Sequence, residues 1–251
     1  MDKKWQAKWI MDPQFFAVKP PDLFHREQED FTEPEHRKDL MNHHMLIRKK
    51  FNLSEVPKKA VIDITADDYY KLYINGEFIG QGPAPSYYFH YYYNNYEITD
   101  KLKKGENVIA VHVYYQGLIN RVWNSGDYRQ GMIAELFADN NLVLASGEDW
   151  KYEITPAYKS GGTTGYETQF LENFDSRAYL PGWQEINFDD SEWENVWVNI
   201  TDDHCLYRQK TPSVTVYDVQ PEVVKKLAPG HFFIDFGGEL TGQLQLEAEG
   251  Q

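Results

Sequence analysis

Two acidic doublets, Asp67-Asp68 and Asp189-Asp190, are the first residues of this 251-residue sequence that could do chemistry. Glycoside hydrolysis generally needs two carboxylates across the scissile bond, one as acid and one as base or nucleophile. Neighbours on an extended chain point to opposite faces, so neither doublet is such a pair by itself. Both doublets sit at turns or strand starts, where Asp side chains accept hydrogen bonds from local backbone N–H groups. Asp67, Asp68 and Asn75 are alternative contacts for calcium or a sugar, although strand-start capping and a tight turn are simpler roles. Cys205 follows His204, but adjacency in sequence is not a nucleophile–base dyad. His36, His43 and His44 lie in or beside a polar stretch without ligand spacing, and we read them as solvated. The chain has no H-E-x-x-H, no paired C-x-x-C, no phosphate loop and no G-x-S-x-G elbow. No catalytic residue, metal ligand or cofactor is assigned on these grounds.

Binding chemistry is better represented. Residues 116–131 read QGLINRVWNSGDYRQG. Trp123, Asn124, Asp127, Tyr128 and Arg129 set a flat apolar ring beside hydrogen-bond donors and acceptors, the mixture found in small-ligand sites. Residues 81–96 read QGPAPSYYFHYYYNNY, which places Tyr88 and His90 in an aromatic cluster. Two readings stay open for that cluster: a loop facing a sugar or another domain, or a strand pair burying its rings, each tyrosine hydroxyl then needing a partner.

The elements that must position these residues are strands. Tyr70, Leu72 and Ile74 lie on one face of an extended run, with Tyr69, Lys71 and Tyr73 on the other. Asn75-Gly76 follows, supplying the two positive-φ positions of a type I′ hairpin turn. Val108–Tyr115 is a second strand, with Ile109, Val111 and Val113 on one face and Ala110 and His112 on the other. Met45–Phe51 and Lys59–Ala66 flank a turn at Val56-Pro57, with Ile62 and Ile64 facing in and Asp63 and Thr65 out. Met132–Phe137 and Leu142–Ala145 form a hairpin, and Trp150, Tyr152 and Ile154 alternate along a half-buried strand. Ser160–Gly165 reads as a flexible loop. Residues 12–44 form a long polar loop with a short helix near 35–42. Val214–Val219 reads as a short strand.

The sequence carries 25 Lys plus Arg against 39 Asp plus Glu, a net charge of −14. That balance argues against nucleic acid and anionic membranes, which need a basic footprint. An uncharged ligand is compatible with it. One cysteine forbids an internal disulfide, and no apolar span is present; we expect a soluble, cytoplasmic protein.

Several short motifs, in order, resemble the N-terminal region of bacterial α-L-rhamnosidases: W-x-A-x-W-I at Trp5–Ile10, R-K-x-F at Arg48–Phe51, the Asn75-Gly76 hairpin, G-x-G-P at Gly80–Pro83, Y-x-I-T at Tyr96–Thr99 and K-x-G-E-N-V-I-A-V-x-V at Lys103–Val113. E-N-F-D-S-R-A (Glu172–Ala178), P-G-W (Pro181–Trp183) and F-D-D-S-x-W (Phe188–Trp193) continue the match. D-F-G-x-x-x-x-G at Asp235–Gly242 resembles the opening of the next domain. The resemblance implies an all-β chain: a jelly-roll, galactose-binding-like sandwich over 1–207, a linker over 208–229, and the first strands of a second sandwich over 230–251. It implies an accessory role, scaffold or carbohydrate-binding, in a glycoside hydrolase that removes terminal rhamnose. In that family the hydrolytic acids belong to an (α/α)6 barrel, the implied partner within the same polypeptide, and no paired amphipathic helices occur here. Calcium accompanies sugar in some related sandwiches, but the loop after Gly80 differs from that form. The alternative is a stand-alone lectin-like module.

Overall fold

The computed structural model describes residues 3–20, 37–118, 125–165 and 168–246. Trp123 and Asn124 of the expected binding loop, and His36, lie outside them. The chain divides into two compact units, 1–214 and 215–251.

Unit 1 is a β-sandwich. Its strands are β1 (Trp9–Met11), β2 (His43–Leu53), β3 (Ala60–Asp67), β4 (Tyr69–Ile74), β5 (Glu77–Gly82), β6 (Tyr91–Glu97), β7 (Gly105–Tyr115), β8 (Gly131–Ala138) and β9 (Asn141–Ala145). They continue as β10 (Lys151–Ile154), β11 (Tyr158–Thr163), β12 (Phe170–Phe174), β13 (Glu194–Asn195), β14 (Trp197–Asn199) and β15 (Leu206–Arg208). One sheet runs β14-β1-β8-β3-β6-β15, with β9 also on β8; the other runs β13-β10-β2-β7-β4-β5. The longest described helix, α1, has only four residues (Pro13–Phe16), capped by Asp12, which accepts from the Gln14 N–H at 2.9 Å.

The inward faces are as the alternation requires. Tyr70, Leu72, Ile74, Ile109, Val111 and Val113 meet Ile62, Ile64, Met132 and Leu136 in one core between the sheets. Burying each such side chain contributes about 1.5–3 kcal/mol. Asn75 (φ 52°) and Gly76 (φ 89°) make the β4–β5 turn. At Gly80 and Gly82, a Cβ would fall 2.7 Å from the Tyr96 ring and 2.2 Å from Asn94 Oδ1. The missing side chains therefore let β6 residues cross to β5 and reach Tyr70, whose hydroxyl donates to Asn94 Oδ1 at 2.6 Å.

Several local expectations change. Asp63 and Thr65 are buried, because the outer face of β3 is not solvated. Lys3 pairs with Asp63 and, at 2.8 Å, with Glu135; its ammonium also lies 3.8 Å from the Trp5 ring centroid. His43 and His44 open β2 rather than ending a loop, and the expected short helix is a 3-10 turn at Lys38–Leu40. Ser160–Gly162 belong to β11, paired with β12 across a register shift between Ser160 and Thr163. Gly162, at φ 99°, supports that irregularity. The tyrosine cluster splits: Tyr91 and Tyr93 are buried, whereas Phe89 and His90 stay exposed.

The described residues of unit 2 include a hairpin, β16 (Val223–Ala228) with β17 (His231–Asp235). Its first strand lies inside the stretch read as linker, whereas Val214–Val219 is not a strand.

The turn-rich wrap over 175–197 covers one end of the outer face of the second sheet, with Trp183 and Trp193 buried against Leu46 and Ala110. Arg48 fastens it. Its fully buried guanidinium donates to the Trp183 carbonyl, to the Glu185 carbonyl at 3.0 Å and to Asp190 at 2.9 Å. Removing one partner of a buried pair costs about 3–5 kcal/mol, because the other groups lose their compensation. Arg48→Ala should therefore lower unfolding free energy by roughly 3 kcal/mol, read from the urea midpoint, while Lys50→Ala, beside it on β2, should change it little.

Candidate functional site

Three of the residues expected to bind a ligand come together, but on one another. Arg129 is buried and donates to Asp203 at 2.7 and 2.8 Å and to Asp127 at 2.9 Å. Its guanidinium lies 3.8 Å from the Tyr88 ring centroid. The cluster works as a clasp holding 125–131 against 202–208. Tyr128, at φ 63°, turns away: its N–H donates to the Tyr115 hydroxyl and its own hydroxyl accepts from the Arg37 N–H, both at 2.9 Å. His90 stacks on Tyr207, with centroids 4.1 Å apart.

Asp67 and Asp68 lie beneath this clasp, both buried. Burial pushes the Asp67 carboxyl well above its ordinary value, and nearby Asp127 adds to the shift. Burial and then Asp67 do the same to Asp68. Asp68 accepts from the Gln116 N–H at 2.6 Å and from the Ser125 hydroxyl, so it closes a loop. Asn75 is occupied by its own turn, accepting from the Val108 N–H at 2.9 Å and donating to the Lys101 carbonyl at 2.8 Å. Among the described residues no group of three His, Cys, Asp or Glu is arranged to hold a metal ion.

The concavity lies elsewhere. A cleft of about 570 Å³ opens on the outer face of the second sheet, beyond the end covered by the wrap. Its floor comes from the outward positions of β2, β4 and β7: His44, Tyr69, Lys71, His112 and Tyr114. The β11–β12 hairpin forms one wall, with Tyr158, Phe170 and Glu172, and the segments 81–85 and 209–214 form the other. Across the floor the rings make a ladder. His44 is stacked between Tyr114 (4.4 Å) and Tyr158 (4.3 Å), and Tyr69 continues it beside Tyr114 (6.4 Å). Cross-strand register aligns the rings, since Tyr114 stands opposite both His44 and Tyr69.

His44 Nδ1 and His112 Nε2 are 3.0 Å apart. Burial, then the neighbouring His112, His43 and Lys71, hold His44 down at about 2; burial and Lys71 hold His112 at about 3. Both rings are therefore neutral at pH 7, one donating to the other. Sequence reading passed over this group, because His44 was assigned to a loop. The signal was the outward register itself: Tyr69 and Lys71 on one strand, Ala110, His112 and Tyr114 on the next.

With this geometry described, the chain can be set beside known proteins. The family model described as Alpha-L-rhamnosidase N-terminal domain matches residues 55–218, more than half of the sequence. The chain belongs to that family. An Alpha-L-rhamnosidase of Formosa agariphila is 28% identical over 81% of this chain, and one of Streptomyces avermitilis is 25% identical over 81%. The match spans 23% and 21% of those relatives, so the chain corresponds to a part of each. The crystal structure of the GH78 family rhamnosidase of Bacillus sp. GL1 aligns with a TM-score of 0.72 at 26% identity, over 89% of this chain and 22% of that one. The Dictyoglomus thermophilum structure, at 23% identity and a TM-score of 0.61, shares the fold. The α-L-rhamnosidase N-terminal region is thus an all-β sandwich here too.

The buried titrating groups act in opposite directions. An unfolded histidine titrates near 6.5, so between about pH 6.5 and 3 the unfolded chain takes up protons that folded His44 and His112 refuse. Their contribution makes the fold less stable as pH falls through that window. Asp67 and Asp68, raised in the folded state, do the reverse: they penalise folding increasingly as pH climbs above about 3.8. The double variant His44→Asn/His112→Asn removes only the first arm. Its melting temperature should therefore drop less than the parent's between pH 7 and pH 4.5, by scanning calorimetry. At the clasp, Arg129→Ala should destabilise by roughly 2 kcal/mol, less than Arg48→Ala because Asp203 is half-exposed; an equilibrium urea titration reads the difference.

Proposed function

We propose that this chain is the accessory N-terminal region of an α-L-rhamnosidase-type glycoside hydrolase acting on terminal rhamnose of glycans or glycosides. Its role in that protein is to scaffold the catalytic helical barrel of the same polypeptide, and to hold carbohydrate rather than hydrolyse it. A cytoplasmic location accords with the single cysteine, Cys205.

The observation that carries the scaffold role is the β16–β17 hairpin. Val224, Phe232 and Ile234 fall on one face, and Val223 and Phe233 on the other. All five are exposed, between 46% and 59%. A hairpin with one wet face shows a polar side; this one has apolar residues on both, the mark of strands covered from two directions. An isolated strand pair is marginal in water, so these residues call for a covering surface. The family match supports the same conclusion, since the relatives extend well beyond the matched region.

The full-length polypeptide should release the aryl group from an aryl α-L-rhamnoside, while residues 1–251 alone should show no turnover. Hydrolysis by the 1–251 chain would overturn the accessory role. Phe233→Ser should lower soluble yield and melting temperature of the full-length protein without changing KM, which separates a packing role from contact with substrate.

A further inference from the structure

The cleft over β2, β4 and β7 has features that a scaffold does not need. It is about 570 Å³, within the usual range of small-molecule sites of roughly 300–1,000 Å³. Its lining is carbon-rich, with aromatic side chains from both the sheet and the β11–β12 hairpin. Its polar groups are nearly all ones that can donate or accept: imidazoles, the tyrosine hydroxyls, and the amides of Asn42, Gln81 and Gln209.

The histidine pair sharpens the chemistry. Each neutral ring carries one N–H. If His44 Nδ1 donates to His112 Nε2, then His44 Nε2 is a lone-pair acceptor and His112 Nδ1 a donor. The other tautomer reverses both. Either way the outer nitrogens present one donor and one acceptor, and among the described residues neither has a hydrogen-bond partner. Adjacent hydroxyls on a ring match that pattern in both tautomers, because each hydroxyl does both jobs. A carboxylate or phosphate matches only the donor, and an ammonium only the acceptor.

The charges at the rim point the same way. Lys71, Lys159 and Glu172 line the cleft. Lys159 lies 3.4 Å from Asp175, outside the cleft lining. Asp175 is shared with Arg177, so the lining keeps two cations and one anion, mixed signs at the rim instead of a cluster of one sign.

We propose that this cleft binds a neutral saccharide unit, its vicinal hydroxyls on the outer nitrogens of His44 and His112 and its carbon framework against Tyr69, Tyr158 and Phe170. The hydrolase reading enters only in choosing the probes.

Saturation-transfer NMR and calorimetric titration of the full-length protein and of the 251-residue chain test it, with methyl α-L-rhamnoside, methyl α-D-mannoside and methyl α-D-galactoside as probes. At least one should bind, with a dissociation constant near millimolar. Tyr158→Ala should weaken it tenfold or more. Phe170→Ala, on the hairpin outside the sandwich core, should weaken it several-fold with an unchanged dichroism spectrum, and serves if the first variant fails to fold. A tenfold rise in salt concentration should leave affinity within twofold, as a neutral ligand requires. The proposal falls if none of the three sugars binds, if binding survives both aromatic substitutions, or if glucuronate binds in their place and Lys71→Gln abolishes it. Activity of the full-length protein on an aryl α-L-rhamnoside is scored separately. Hydrolysis with no binding in the cleft sinks this proposal and leaves the scaffold role in a rhamnosidase intact; binding without hydrolysis keeps this proposal and sinks the rhamnosidase reading.

Discussion

The pairing of β2 with β7 is the constraint on which the rest of this molecule depends. It is antiparallel and unbroken over eleven residues, from His43 opposite Tyr115 to Leu53 opposite Gly105. Strand pleating gives each residue of this ladder one of two fates. Met45, Ile47, Ile109, Val111 and Val113 enter the core. Leu46, Arg48, Ala110, His112 and Tyr114 point outward. A slip of one residue would exchange the two sets, placing Arg48 among the isoleucines. One register therefore sets the core, the docking of the wrap at one end of the outer face and the aromatic cleft at the other.

That outer face shows how the fold handles polar groups it hides. Arg48 is fully buried and meets two carbonyls and a carboxylate, the compensation that a buried cation requires. Arg129 is treated alike by Asp127 and Asp203. The His44–His112 pair follows another route: the rings shed charge and share one hydrogen bond. Asp67 and Asp68 lack a cation sufficient for both, and their carboxyls shift upward accordingly.

Where a strand keeps one greasy face, its sequence was legible. Tyr70, Leu72 and Ile74, then Asn75-Gly76, gave a strand and a turn that the structure repeats residue for residue. Phe188 and Trp193, the aromatic ends of the F-D-D-S-x-W motif, pin the wrap to the sheet beside Arg48. The failures share a cause. Asp63 and Thr65 look solvent-facing by alternation, but alternation cannot report a second layer laid over the sheet by Lys3 and Trp5. His43 and His44 look like loop residues because they precede the apolar part of β2; His43 is in fact buried against Asp12, 2.9 Å away. The cleft was hidden for a related reason. Its residues come from six separate stretches of chain, the β11–β12 hairpin among them, and only register and that hairpin bring them together. In the 116–131 loop, composition alone did not show that Arg129 is met by aspartates within the chain itself.

One consequence concerns mechanical load. β15 lies parallel to β6, with Leu206, Tyr207 and Arg208 opposite Tyr91, Tyr92 and Tyr93. Backbone bonds extend the contact at both ends, from the Cys205 N–H to the Tyr88 carbonyl at 2.7 Å and from the Gln209 N–H to the Tyr93 carbonyl at 2.9 Å. Tension applied to the chain beyond Gln209, along the strand axis, loads these bonds together in shear instead of unzipping them one by one. The Arg129–Asp203 contact sits just upstream of the same strand, so it anchors the tether before the force reaches β1 or the core.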